Sequence, residues 1–280
     1  MGCRVCQAPT TLCVDRGDIS LYRCGTCGFV SGRPARAVDP ERRYERYYDR
    51  PMPTAPEVRY HEWLARAEAL VGRGGRLLEV GAGSGGFVLV ALARGWNADV
   101  TEISKSALDG LRATGATVFW GDVVAARYPD GRFDLIASLE VVEHLDIPLA
   151  HLTELCRVTR PGGLLLLTTP NFDGLSRRYL GARWRVIDPE HLGYFTRSTL
   201  SSALRWAGYR DVRVSSRSLD FLSWPKGSGP GGSREFDAHA STRLRDRVQG
   251  STVLSLGKTV VNGALRVTNL GDSLFAWARR

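Results

Sequence analysis

Residues 77–86 read Leu77-Leu78-Glu79-Val80-Gly81-Ala82-Gly83-Ser84-Gly85-Gly86. An apolar strand carries one acidic residue and then meets glycines at alternate positions. Residues 87–94, which follow, suit a helix. A strand-to-helix turn without Cβ atoms lets a ligand approach the backbone closely and meet the amides of a helix N-terminus. Many nucleotide-binding folds share such a turn, so the ligand has to be read from the rest of the chain.

Outward from this turn, strands and helices alternate. Strands are expected at 76–80, 98–102, 116–120, 133–138, 163–169, 210–216 and 273–278, and helices at 57–71, 85–94, 105–113, 148–158 and 198–207. The first helix carries apolar residues at Val58, Trp63, Leu64, Ala67, Leu70 and Val71. This alternation predicts an α/β fold, a Rossmann-like doubly wound sheet of seven mostly parallel strands. The expected organisation is a ribbon at 1–31, a connector and lead-in helix at 32–75, a core at 76–217, a helical insertion or substrate cap at 218–268, and a last core strand within 269–280. The connector is rich in Pro and Tyr, and a short helix is expected from Glu41 to Tyr48. Residues 224–234, WPKGSGPGGSR, read as a loop.

Length and composition bound the function. The 280 residues allow one large α/β domain and a small module. No apolar run is long enough to span a bilayer. Met1-Gly2-Cys3 opens no apolar signal region, which reads as a cytoplasmic protein. The formal charge is +9, but the basic residues are scattered and nearly all Arg, with only Lys105, Lys226 and Lys258 as Lys. No basic stripe interleaves with aromatics, so nucleic acid is not the expected partner. A small-molecule substrate is.

Five of the six cysteines lie in the first 27 residues. Cys3-x-x-Cys6 and Cys24-x-x-Cys27 are two tight turns, each able to aim two thiolates at one ion, and together they form a closed S₄ shell for structural zinc. In a reducing cytosol these thiols read as metal ligands rather than disulfides. Four protein ligands leave no position for substrate, so such an ion would not be catalytic.

Two cofactors compete for the glycine turn. Gly81, Gly83 and Gly86 satisfy the dinucleotide pattern, with Glu102 about 20 residues on as the ribose acid. S-adenosylmethionine (SAM) is the alternative. Glu79 would welcome a cationic amino acid or sulfonium and repel a pyrophosphate. Gly81, Gly83 and Gly85 fit the loop equally well, and Asp122 could accept from an adenine amine.

At these residues the chain resembles the class I SAM-dependent methyltransferases. Glu79 to Gly85 resembles the family's first motif, and Val100 to Ser104 its second-strand motif. Gly121-Asp122 resembles its adenine motif. Phe133 to Ile136 with Leu139 to Leu145 resembles the fourth-strand region, and Arg160-Pro161-Gly162-Gly163 the turn before the fifth strand. The resemblance covers about 76–170 in the family's order. Thr169-Pro170-Asn171, Trp184, Pro189-Glu190-His191-Leu192 and Tyr194-Phe195-Thr196 further resemble a bacterial small-molecule branch that often carries an amino-terminal CxxC…CxxC ribbon and a Tyr-rich segment, here Tyr44, Tyr47 and Tyr48.

The resemblance implies a cofactor site built from Glu79, Gly81, Ala82, Gly83, Gly85, Glu102, Ile103, Asp122, Val123 and Leu139. Glu102 would accept from the ribose hydroxyls, Asp122 would face the adenine amine, and Leu139 would pack on the adenine. It also implies methyl transfer to an O, N or C nucleophile of a sugar or an antibiotic-type precursor. The alternatives are an RNA base methyltransferase with a zinc-binding head and a SAM-binding protein without catalysis. His144, after the fourth strand, and His191, after the fifth, are the candidate proton acceptors. Glu143 reads as a solvated or capping residue. The oligomeric state is not legible.

Overall fold

A computed structural model describes residues 2–36, 58–219 and 265–280, residue 266 excepted. The expected helix at Glu41 to Tyr48, its tyrosines, and almost all of the 218–268 segment lie outside the described residues. None of the described helices is long and apolar enough to cross a membrane.

Eleven described strands form two sheets. Three lie at the amino terminus: β1 (Thr10–Asp15), β2 (Ile19–Cys24) and β3 (Val30–Pro34). The core contributes β4 (Arg76–Val80), β5 (Asn97–Glu102), β6 (Thr117–Trp120), β7 (Phe133–Leu139) and β8 (Thr159–Pro170), then β9 (Gly193–Tyr194), β10 (Arg210–Arg217) and β11 (Ser273–Arg279). The large sheet has seven strands in the order β10-β11-β8-β7-β4-β5-β6. Strands β8, β7, β4, β5 and β6 run parallel, and β11 is antiparallel to both its neighbours. The order reverses between β4 and β7, where a doubly wound sheet opens its ligand crevice.

Helices cover both faces. They are α1 (Val58–Val71), α2 (Gly86–Ala93), α3 (Leu108–Ala113), α4 (Pro148–Val158), α5 (Leu175–Leu180) and α6 (Arg197–Trp206). Because alternate strand residues face opposite ways, Leu164 and Leu166 join Trp63, Leu64, Phe87 and Leu111 on one face. Leu165 and Leu167 join Leu152, Leu155, Leu200 and Leu204 on the other. A strand buried on both faces must be apolar at every position, which is why these strands read as continuous runs. On α1 the buried Glu68 receives both guanidinium donors of Arg94, at 2.7 and 2.6 Å, and the Trp96 indole N–H at 3.3 Å. That cluster locks the lead-in helix to the end of α2. At the far edge, the fully buried Asn171 donates to the carbonyls of Gly271 and Asn269 and so aligns β11.

Three local expectations are corrected. Arg160 to Gly163 does not form a turn ahead of the fifth strand. It is a bulge inside β8, where the register with β7 slips between Phe133 and Leu135 and Gly162 takes φ +78°. The helix expected at 105–113 begins as a 3₁₀ turn, Lys105–Ala107, before α3. The expected ribbon boundary at residue 31 falls inside β3.

That boundary matters because β3 is not the end of its sheet. The amino-terminal sheet has the order β1-β2-β3-β9, and β9 comes from the core. Val30 pairs with Tyr194 and Ser31 with Gly193, and Gly32 N–H donates to the Leu192 carbonyl at 2.9 Å. Cys3, Val5, Cys24 and Phe29 pack into the same core cluster as Phe195 and Leu200. A Cβ on Gly32 would lie 2.4 Å from the His191 carbonyl oxygen, a backbone atom that cannot swing away. Gly32→Ala is therefore expected to lower the unfolding free energy by about 1–3 kcal/mol, measured by denaturant titration.

Candidate functional site

The crevice sits at the carboxyl ends of β4, β5, β6 and β7. Gly81, Gly83 and Gly85 have φ of +65°, +55° and +78°, which other residues adopt only at a cost, so the turn requires glycine at each. Gly81 N–H donates to the Thr101 carbonyl at 2.9 Å, which ties the loop to the neighbouring strand. A Cβ on Gly81 would lie 2.7 Å from a Val141 methyl, so the loop rests directly on the turn that follows β7.

Glu102 is 4% exposed, and both its carboxylate oxygens are engaged. One accepts from Gly83 N–H and the other from Ser104 N–H, each at 2.8 Å. Its own carbonyl accepts from Gly121 N–H at 2.9 Å. One residue thus joins the ends of three strands. Glu79, beneath the loop, is 3% exposed, and one carboxylate oxygen has no hydrogen-bond partner. Burial pushes its carboxyl well above the usual range, against the Val88 amide, and the Glu102 charge adds to the rise. An orphaned carboxylate oxygen behind a bare glycine loop fits a ligand that carries positive charge.

The flanking candidates separate. Ile103 is 43% exposed and Trp120 50%, with the Trp120 indole N–H donating to the Ile103 carbonyl at 3.1 Å. The Lys105 ammonium sits 4.7 Å from the Trp120 ring centre. Together they form an exposed apolar shelf beside the loop. Asp122 is exposed and accepts from Ala125 N–H at 2.7 Å, which caps the turn after β6. Val123, expected among the cofactor residues, is wholly buried in the core and presents no surface to a ligand. Its position next to a polar motif residue gave no sign of this. Leu139 is half-buried at the end of β7.

The two candidate histidines, 47 positions apart in the sequence, meet. Their rings lie 4.7 Å apart at 68°, edge against face. His144 Nδ1–H donates to the Glu190 carbonyl at 3.2 Å, and His191 Nδ1–H donates to the Val186 carbonyl at 2.7 Å. The loop that carries His191 is pinned by Asp188, which accepts from Glu190 N–H at 3.0 Å and whose carbonyl accepts from His191 N–H at 2.9 Å. It is pinned again by Leu192 N–H, which donates to the Glu143 carbonyl at 2.8 Å.

Glu143 is neither solvated nor a cap. It is 2% exposed, and its carboxylate accepts from the Thr169 hydroxyl at 2.9 Å. Burial, then the charge of Glu140, with which it shares a hydrogen bond, pushes its carboxyl well up. Glu140 itself stands at the rim with φ +56°. One ligating atom from each of Glu143, His144 and His191 lies within 4.8 Å of the other two. The sequence singles out both histidines but reads Glu143 as a surface residue, whereas it is buried.

At the amino terminus the four sulfurs of Cys3, Cys6, Cys24 and Cys27 lie within 4.8 Å of one another. Cys3 and Cys27 are 3.6 Å apart and Cys6 and Cys24 3.5 Å. Tetrahedral ligation at a Zn–S distance of about 2.3 Å puts sulfurs about 3.8 Å apart, and a disulfide needs about 2.05 Å. The spacing fits a metal shell. Cys13 stands apart and is exposed.

A methyltransferase domain family matches residues 48–214. Over 162 residues the chain is 33% identical to a malonyl-[acyl-carrier protein] O-methyltransferase of Serratia marcescens, covering 52% of this chain and 62% of that protein. Over 118 residues it is 31% identical to a ubiquinone biosynthesis O-methyltransferase of Dechloromonas aromatica, covering 39% and 50%. The chain spans between half and two thirds of the length of these relatives. A crystal structure of a SAM-dependent methyltransferase from Archaeoglobus fulgidus superposes with a TM-score of 0.54 at 17% identity, over 81% of this chain and 95% of that one, a likeness of fold.

The contact between the glycine loop and Val141 can be tested. Gly81→Ala is expected to cost roughly 1–3 kcal/mol of stability through its left-handed φ and the Val141 overlap. Val141→Ala in the same chain should recover part of the loss, read by denaturant titration.

Proposed function

The chain belongs to the methyltransferase domain family, and on that premise we propose that it transfers a methyl group from SAM to a nucleophile of a small metabolite. The observation that carries this reading is the glycine loop held to three strand ends by Glu102 with the orphaned Glu79 oxygen behind it. The loop's bare backbone and the acids around it match a cationic nucleoside ligand. The O-methyltransferase names of the two relatives support an oxygen acceptor on a small or carrier-bound molecule. Sugars and antibiotic-type precursors are the acceptors that the resemblance suggests.

When bound, the sulfonium supplies an already activated methyl group. The work left to the protein is orientation and exclusion of water. Gly81, Ala82, Gly83 and Gly85 offer backbone at the crevice floor. Glu102 keeps acceptor capacity for ribose hydroxyls beyond its two amides, since a carboxylate has about four lone-pair sites. Asp122 faces the base amine, and Ile103 and Leu139 flank the base. His144 and His191 stand on the acceptor side. The four amino-terminal cysteines hold a structural zinc ion.

Calorimetric titration with SAM tests the cofactor site. Glu102→Ala and the isosteric Glu102→Gln are each expected to weaken binding at least tenfold, about 1.4 kcal/mol. Wild-type affinity in both would overturn the assignment. Methyl-labelled SAM incubated with the protein and a host extract should place label in the small-molecule pool, and label in nuclease-sensitive material would overturn the acceptor class. Elemental analysis should find one zinc per chain in protein prepared without chelator, lost in Cys3→Ser with a lower Tm. Wild-type protein free of metal would remove the zinc.

A further inference from the structure

The Glu143, His144 and His191 cluster is built as a ligand shell. With Nδ1–H of each ring donating to a backbone carbonyl, the lone pair of each neutral imidazole lies on Nε2, the nitrogen able to ligate. Metal-binding histidines are held in this way, by a hydrogen bond at the other ring nitrogen that sets both tautomer and direction. Glu143 is held similarly, by the Thr169 hydroxyl. One candidate ligand atom from each of the three residues, at either ring nitrogen for a histidine, lies within 4.8 Å of the other two. Bonds of about 2.0–2.2 Å to one ion separate its ligands by roughly 3–4 Å, so small side-chain rotations would complete the shell. A simple pair of catalytic bases needs no buried acid between them.

We propose that Glu143, His144 and His191, with Glu140 at the rim, hold a first-row divalent cation at the acceptor side of the crevice. Two imidazoles with carboxylate select such a cation over calcium, which takes oxygen ligands alone. Two carboxylates also match its charge. This site is distinct from the cysteine shell: it is of harder donors, and three or four protein ligands leave coordination positions open. The open positions suit an acceptor that offers two neighbouring oxygens, such as a vicinal diol, a catechol or a hydroxy acid. A hydroxyl bound there would lose its proton more readily, as metal-bound water does. The histidines are then ligands rather than free bases. The acceptor role rests on the methyl-transfer reading above, whereas the metal site itself does not.

Mn²⁺ is the probe, because it prefers oxygen and nitrogen donors and spares the thiolate shell. Titration of the full chain, followed by EPR, should show one Mn²⁺ bound per chain, with pulsed EPR couplings to two imidazole nitrogens. Glu143→Gln and His191→Gln should each weaken it at least tenfold while SAM affinity stays at the wild-type value, which also reports an intact fold. Absence of saturable Mn²⁺ uptake by the wild-type chain, or a complex without nitrogen couplings, would overturn the proposal. SAM binding without Mn²⁺ uptake would remove this site and leave the methyltransferase reading standing. Mn²⁺ uptake without SAM binding would do the reverse.

Discussion

The crevice depends on one buried carboxylate. Glu102 ends β5 and accepts from the Gly83 amide on one side and the Ser104 amide on the other. A glycine loop is cheap to bend and would otherwise sample many shapes. Two charge-assisted hydrogen bonds in a buried setting restrict it to one. Its left-handed glycines then bring Gly81 against Val141, and the shape of the loop reaches the turn that carries Glu143 and His144. The glycine loop and the histidine-bearing turn are thus mechanically continuous.

A second continuity runs the other way. The His191 loop is held at Leu192 from both sides, its N–H donating to the Glu143 carbonyl and its carbonyl accepting from Gly32, beside the short pairing of β3 with β9. The four cysteines bring together the turn before β1 and the turn between β2 and β3.

Much of the fold was legible because parallel strands buried on both faces leave continuous apolar runs, as in Leu164 to Leu167, and because glycines mark the turn between β4 and α2. The acids beside the glycine loop were legible too: Glu79 and Glu102 lie near the carboxyl ends of β4 and β5, and Asp122 just after β6, where acids need a purpose. What the sequence hid was long-range. Gly193 and Tyr194 form a strand only because β3 offers them an edge. Glu143 looks like any polar turn residue until Thr169, 26 positions on, takes its carboxylate into the interior. Val123 follows a motif acid and yet faces the core. Local pattern reports neither a partner's edge nor the direction of a single side chain in a loop.

The pairing of β3 with β9 has a consequence for how such chains can be rearranged. The amino-terminal sheet resembles an exchangeable accessory, but its removal would uncover the backbone edge at Gly193 and Tyr194 together with Phe172, Trp184 and Ile187, which now share its core. A bare strand edge beside aromatic surface invites pairing with another chain. The amino-terminal sheet and the core therefore pack as one unit, and a different sheet could be grafted here only together with the loop it is stitched to.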